Sequence, residues 1–180
     1  MSPTEPPSPA PAGPLTVRQR RAPDDRGALA AHFDSLGFEG RYHRFLQGMP
    51  YVPPAILDVV MADANTAVFA VTPDGRIVGE ALLAAGTRAG EPPEIGYSVA
   101  PDHRRRGLGR QLVTEALRHV DPTQTPLVRA TIGPENRPSI ALVRSLGATS
   151  RFDDGLMIAD LDVAAIHAPA LATTASPLAA

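Results

Sequence analysis

The chain has 180 residues, 43% of them hydrophobic, and a formal net charge of -2. That is long enough to bury a sizeable core, and the charge balance excludes a chain-wide nucleic-acid or membrane-surface binder. It has no cysteine, which excludes disulfides, thiolate-bound zinc and a cysteine nucleophile.

Residues 1–14 contain six prolines and no apolar periodicity, so they read as an extended, polyproline-like tail. They lack the basic and apolar regions of a secretory signal. No apolar run reaches the roughly 18 residues of a membrane span. The expected location is the cytoplasm. Leu15–Arg20 alternates apolar and polar residues and predicts a strand. Asp24 or Asp25 can cap a helix through Leu36, with Leu29, Ala30, Phe33 and Leu36 on one face. Gly37–Gly48 is a polar, aromatic and arginine-containing stretch with RYHRF at its centre, and Pro53–Met61 predicts a short helix. Thr66–Val71 and Arg76–Leu83 are β-rich runs around Thr72-Pro73-Asp74-Gly75, a hairpin signal.

Glu94–Val99 predicts another strand, and Leu108–Val120 an amphipathic helix. Leu127–Ile132 is strand-like, and Pro138–Leu146 is a helix that Gly147 can stop. Arg151–Phe152 and Leu156–Leu161 predict a last hairpin around Asp153-Asp154-Gly155. The order β-α-α-β-β-β-α-β-α-β-β implies an α/β fold on a sheet of mixed direction. The expected domain covers residues 15–167, with a second loose tail over 168–180.

The segment Val99-Ala-Pro-Asp-His-Arg-Arg-Arg-Gly-Leu-Gly-Arg110 carries the chemistry. A strand ends, Pro101 breaks it, and a glycine-containing turn opens the amphipathic helix. Gly107 and Gly109 can take positive φ and let a ligand approach the backbone. The first helical amides lack intrahelical partners, and the dipole makes that end positive. Together these form an anion site suited to a pyrophosphate. Charge is concentrated there. Residues 1–100 carry 8 arginines against 11 acids, whereas residues 101–110 carry 4 against one. The nucleoside-triphosphate loop GxxxxGK[ST] is excluded because the chain has no lysine, and a Rossmann GxGxxG is excluded because only one G-x-G occurs in this loop.

Arg104-x-x-Gly107-x-Gly109 matches the Q/R-x-x-G-x-G/A motif of the GNAT N-acetyltransferase superfamily, which the chain resembles over Leu15–Leu161. Asn136-Arg-Pro-Ser-Ile-Ala-Leu-Val-Arg-Ser-Leu-Gly147 resembles the family segment N-x-x-[AS]-x-x-L-x-x-x-L-G. Two stretches are most similar to the Pat-type protein lysine acetyltransferase branch. Arg41-Tyr-His-Arg-Phe45 is similar to R-Y-L-R-F, and Glu94-Ile-Gly-Tyr-Ser-Val99 to E-V-A-F-x-V.

The resemblance implies a GNAT fold: a mixed, mostly antiparallel sheet of six to seven strands with about four helices. It implies direct transfer of an acetyl group from acetyl-CoA to a primary amine, with no metal. The pyrophosphate would lie against Arg104, Arg105, Arg106, Gly107, Leu108, Gly109 and Arg110. The pantetheine arm would run along Tyr97, Ser98 and Val99, with Asn136 and Ser139 beside it. One amide of that strand would stabilise the developing oxyanion. Glu94 is the implied proton acceptor, directly or through water. Glu94→Gln is then expected to keep acetyl-CoA binding and lose turnover. Tyr42 lies in the segment near the acceptor in related folds. The usual tyrosine acid of the family falls at Val143, a departure that leaves leaving-group protonation to water.

The acceptor is a protein lysine or a small-molecule amine, with no nucleic-acid or membrane partner, and the protein is a monomer or homodimer. All 17 basic residues are arginines, so self-acetylation is confined to the N-terminus. The alternative is a non-catalytic acyl-CoA-binding sensor or scaffold, separable by measuring CoA release.

Overall fold

The computed structural model describes residues 13–21, 24–86 and 90–168. The expected tails fall almost entirely outside them. Seven strands form one sheet in the order β1-β2-β3-β4-β5-β7-β6. They are β1 (Thr16–Gln19), β2 (Thr66–Val71), β3 (Ile77–Ala84), β4 (Glu94–Val99), β5 (Leu127–Ile132), β6 (Thr149–Asp153) and β7 (Leu156–Asp162). The helices are α1 (Asp25–Ser35), α2 (Gly37–Phe45), α3 (Pro54–Val60), α4 (Leu108–Arg118), α5 (Arg137–Ser145) and α6 (Val163–His167).

The period-2 alternation of the strands explains the layers. On β2, Ala67, Phe69 and Val71 turn to one side and pack with Leu29, Phe33, Leu57 and Val60 of α1 and α3. Val68 and Ala70 turn to the other side, against Leu112, Val113, Ala116 and Leu117 of α4. Because both faces are covered, β2 reads as the continuous apolar run TAVFAV. The four α4 side chains are fully buried. Each leucine among them contributes about 1.5–3 kcal/mol by leaving water.

Among the described residues there are six helices, against about four implied. The main addition is α2. Gly37, at φ +67°, ends the run of α1 and starts a new axis. The buried face of α2 is made by arginine, which hid its period. Arg41 is buried and donates to the carbonyls of Asp34 (3.3 Å), Met49 (3.2 Å) and Pro50 (2.8 Å). The other addition, α6, is capped by Asp162, whose carboxylate accepts from the Ala165 amide at 3.1 Å.

All neighbouring strands run antiparallel except β4 and β5, which are parallel. That pair has a single registered contact, Glu94 opposite Arg129. Beyond it the two strands part. A split of this kind leaves main-chain groups of β4 and β5 facing a gap.

Candidate functional site

The split opens into a cleft of about 560 Å³. Its floor is Tyr97, Ser98 and Val99 of β4. One wall is the β4–α4 loop and the start of α4, with Arg104, Arg105, Gly107, Leu108, Gly109 and Arg110. Asn136 and Ser139 come from the α5 side, and Glu39, His43 and Arg44 from α2. A small pocket continues into the gap between Gly96 and Tyr97 on β4 and Ala130, Thr131 and Ile132 on β5.

The loop is shaped by its backbone. Gly107 stands at φ +76° as the N-cap of α4 and offers no side chain to the helix amides. Those amides therefore face the cleft as donors. Arg105 takes φ +64°, a left-handed conformation that a non-glycine residue holds only when its surroundings fix it. Arg104 is part of what fixes it, since its Nε donates to the carbonyl of Val99 at 3.0 Å. Arg110 donates to the carbonyl of Ser145 at 2.8 Å and ties α4 to α5. Uncapped amides and three arginines thus meet at the start of α4, where the sequence predicts an anion site.

On the α5 side, Asn136 caps its own helix by accepting from the Ser139 amide at 3.3 Å. The Tyr97 hydroxyl donates to the Ser139 carbonyl at 3.5 Å, bridging β4 to α5. Burial pushes the Tyr97 phenol up to about 12, against the opposing pull of that contact, so it stays protonated.

Sequence reasoning missed the wall opposite. Glu80 of β3 is fully buried. Arg44 meets it with two bonds, Nε to Oε1 at 2.7 Å and a terminal nitrogen to Oε2 at 3.1 Å. Ser98 donates its hydroxyl proton to Glu80 Oε1 at 2.7 Å. His32 Nε2 must then donate to Ser98 Oγ, 2.9 Å away. Burial pushes His32 down to about 4, with the nearby Glu80 charge opposing. Gly96 lets Arg44 lie across β4, because a Cβ there would fall 2.8 Å from the guanidinium carbon. The signal in the sequence was the lone acid inside IVGEALLA, since a charge at a core position needs a partner.

Three expected site residues, and the position of the family's tyrosine, stand apart from the cleft lining. Glu94 sits at the closed end of the split, opposite Arg129, and lines neither cavity. Arg106 is exposed and lies outside the lining. Tyr42 is 38% exposed and stacks obliquely on His43 with ring centroids 5.9 Å apart. Val143 is fully buried in the core, so no hydroxyl reaches the cleft from the family's tyrosine position. Among the described residues no three His, Asp or Glu side chains gather as a metal site. None of the described helices is long and apolar enough to cross a membrane.

Comparison with known proteins agrees with this geometry. A family model, the acetyltransferase (GNAT) domain, matches residues 20–149. The chain is similar to the GNAT domain of S. lividans PAT, at 19% identity and TM-score 0.70, over 81% of this chain and 89% of that one. It is similar to the yncA protein of Salmonella typhimurium, determined with its cofactor acetyl-CoA, at 20% identity and TM-score 0.67, over 83% and 94%. It is also similar to mycothiol acetyltransferase of Thermobifida fusca, 42% identical over 65 residues. That match takes in 35% of this chain and only 20% of the relative.

Proposed function

The chain belongs to the GNAT acetyltransferase family, and we propose that it is an N-acetyltransferase that moves an acetyl group directly from acetyl-CoA to a primary amine. The observation that carries this reading is the uncapped start of α4 at Gly107, opening onto a cleft that runs into the β4–β5 split. The amides at Gly107–Arg110 and the side chains of Arg104, Arg105 and Arg110 suit the pyrophosphate of the donor. Its pantetheine arm is suited to the gap along Tyr97, Ser98 and Val99, with Asn136 and Ser139 opposite. A gap-facing amide of β4 would stabilise the oxyanion. Holding both reactants in one cleft supplies much of the rate in such a design.

Within the family we place the chain with the Pat-type branch, on Arg41–Phe45 and Glu94–Val99. Both arginines of RYHRF are internal ties, Arg41 to main-chain carbonyls and Arg44 to Glu80. The stretch therefore reports how the acceptor wall is built, and both a protein lysine and a small-molecule amine fit the proposal.

The test is acetyl-CoA binding by calorimetry, followed by thiol release with a lysine peptide and with spermine as acceptors. Binding and release on at least one acceptor are expected. Absence of acetyl-CoA binding would overturn the reading. Binding without release on any amine would assign a non-catalytic acyl-CoA module instead.

A further inference from the structure

We propose that His43 of α2, and not Glu94 of β4, is the group that takes the proton from the acceptor ammonium. This rests on the acetyl-transfer reading above. His43 lines both the main cleft and the small pocket in the β4–β5 gap. It therefore stands where the donor groove meets the split. Its side chain is 23% exposed, so an acceptor arriving from solvent can reach it. Its Nδ1 is buried and has no hydrogen-bond partner. A ring proton carried at that nitrogen points to Glu135, and Nε2, on the side of Glu39, is the nitrogen left to accept from the ammonium.

The surroundings suit a transient cation. Glu135 Oε1, from the β5–α5 loop, is 3.6 Å from Nδ1. Glu39 Oε1, one turn earlier on α2, is 3.5 Å from Nε2. Two carboxylates from two elements thus flank the ring and would stabilise the imidazolium formed on proton uptake. His103 of the β4–α4 loop lines the main cleft but not the small pocket, and its Nδ1 is bonded to Asp102 at 2.8 Å. Arg44 turns its guanidinium to Glu80, Tyr97 on β4 stays protonated, and Tyr42 contributes a ring contact on the same helix. Arg104 and Arg105 line the same cleft from the β4–α4 loop, with Arg104 bonded to the Val99 carbonyl. Glu94 differs in its placement. It stands where β4 and β5 are still paired, faces Arg129 across the register, and lines neither cavity.

The step balances as follows. The ammonium gives one proton to Nε2 of His43 and becomes a nucleophilic amine. The amine nitrogen bonds to the thioester carbonyl carbon, and the carbon–sulfur bond then breaks. The CoA thiolate leaves with that electron pair and takes the second nitrogen proton. His43 returns its proton to solvent. The net products are one amide, one thiol and one proton.

The experiment follows kcat against pH at saturating acetyl-CoA and acceptor, spermine or a lysine peptide, for the wild-type chain, His43→Gln and Glu94→Gln. Calorimetric acetyl-CoA affinity is measured in parallel. For His43→Gln, kcat is expected to fall by about 10²-fold or more, with affinity for acetyl-CoA kept. The acid limb of the profile should disappear in that variant and persist in Glu94→Gln. In His43→Ala, added imidazole should restore turnover, a rescue that a packing role would not give. If His43→Gln keeps its rate and acid limb while Glu94→Gln loses both, the proposal is overturned and the proton belongs to Glu94. If the wild-type chain releases no CoA on either acceptor, the acetyl-transfer reading falls and this inference with it.

Discussion

The wall made by α4 and α5 and the wall made by α1 and α2 meet at one cleft but are built differently. The first is local. Residues 99–110 fold back on themselves, the left-handed backbone of Arg105 and Gly107 aims the α4 amides, and Arg104 ties the loop to its own strand. The second is assembled from distant pieces. Arg44, Glu80, Ser98 and His32 come from four elements and meet in a buried network. The difference teaches that an anion-attracting turn can be built by a short run of backbone, whereas a wall assembled around a buried charge depends on the whole fold.

Three perturbations sharpen this contrast, beginning with the largest. Arg44→Ala leaves Glu80 charged and unpaired in the core, which costs about 3–5 kcal/mol and should lower the melting temperature by roughly 10 °C. The paired apolar replacement Arg44→Met with Glu80→Leu should recover most of that stability. If Arg44→Ala melts like the wild-type chain, the wall made by α1 and α2 is not held by this pair.

The second perturbation is pH. His32 is held near 4 in the fold against about 6.5 unfolded. Protonation therefore favours the unfolded chain. The contribution is complete above about pH 6.5 and is lost as pH falls toward 4, amounting to about 3 kcal/mol. Denaturant midpoints measured between pH 7 and 4 should fall accordingly. His32→Asn should flatten part of that dependence, and an unchanged slope would show that the network does not report on acid.

The smallest of the three effects belongs to the local wall. Gly107→Val forces a β-branched residue to φ +76°, a strain of about 1–3 kcal/mol. Relieving it moves the amides that open α4. Acetyl-CoA binding should weaken about tenfold or more, while the Arg44–Glu80 network stays intact. A weakening confined to turnover, with binding preserved, would break the assignment of this wall to the donor.

How much was legible follows the same line. The strand–turn–helix around Gly107, the Thr72–Gly75 hairpin and the α4 stripe Leu108, Leu112, Val113, Ala116 and Leu117 all rest on neighbours in sequence. Each was readable as period or turn chemistry. The helix α2 was not, because arginine aliphatic stems and guanidinium bonds do the burying there. Glu80 could be suspected from its apolar setting but not paired, since its partner lies 36 positions away. Glu94 is legible as the head of the strand before the loop, but its distance from the cleft depends on where β4 and β5 part.

By itself, then, the sequence determined the wall proposed for the donor: a glycine-containing turn, the helix behind it and the alternating strands, because hydrogen-bond geometry and side-chain period act over a few residues. Only the tertiary structure decided the wall opposite. The β4–β5 split, the burial of Glu80 under Arg44 and the placing of His43 between Glu39 and Glu135 require elements far apart in the chain to pack. The energy of a buried charge is set by that packing and not by its neighbours in sequence.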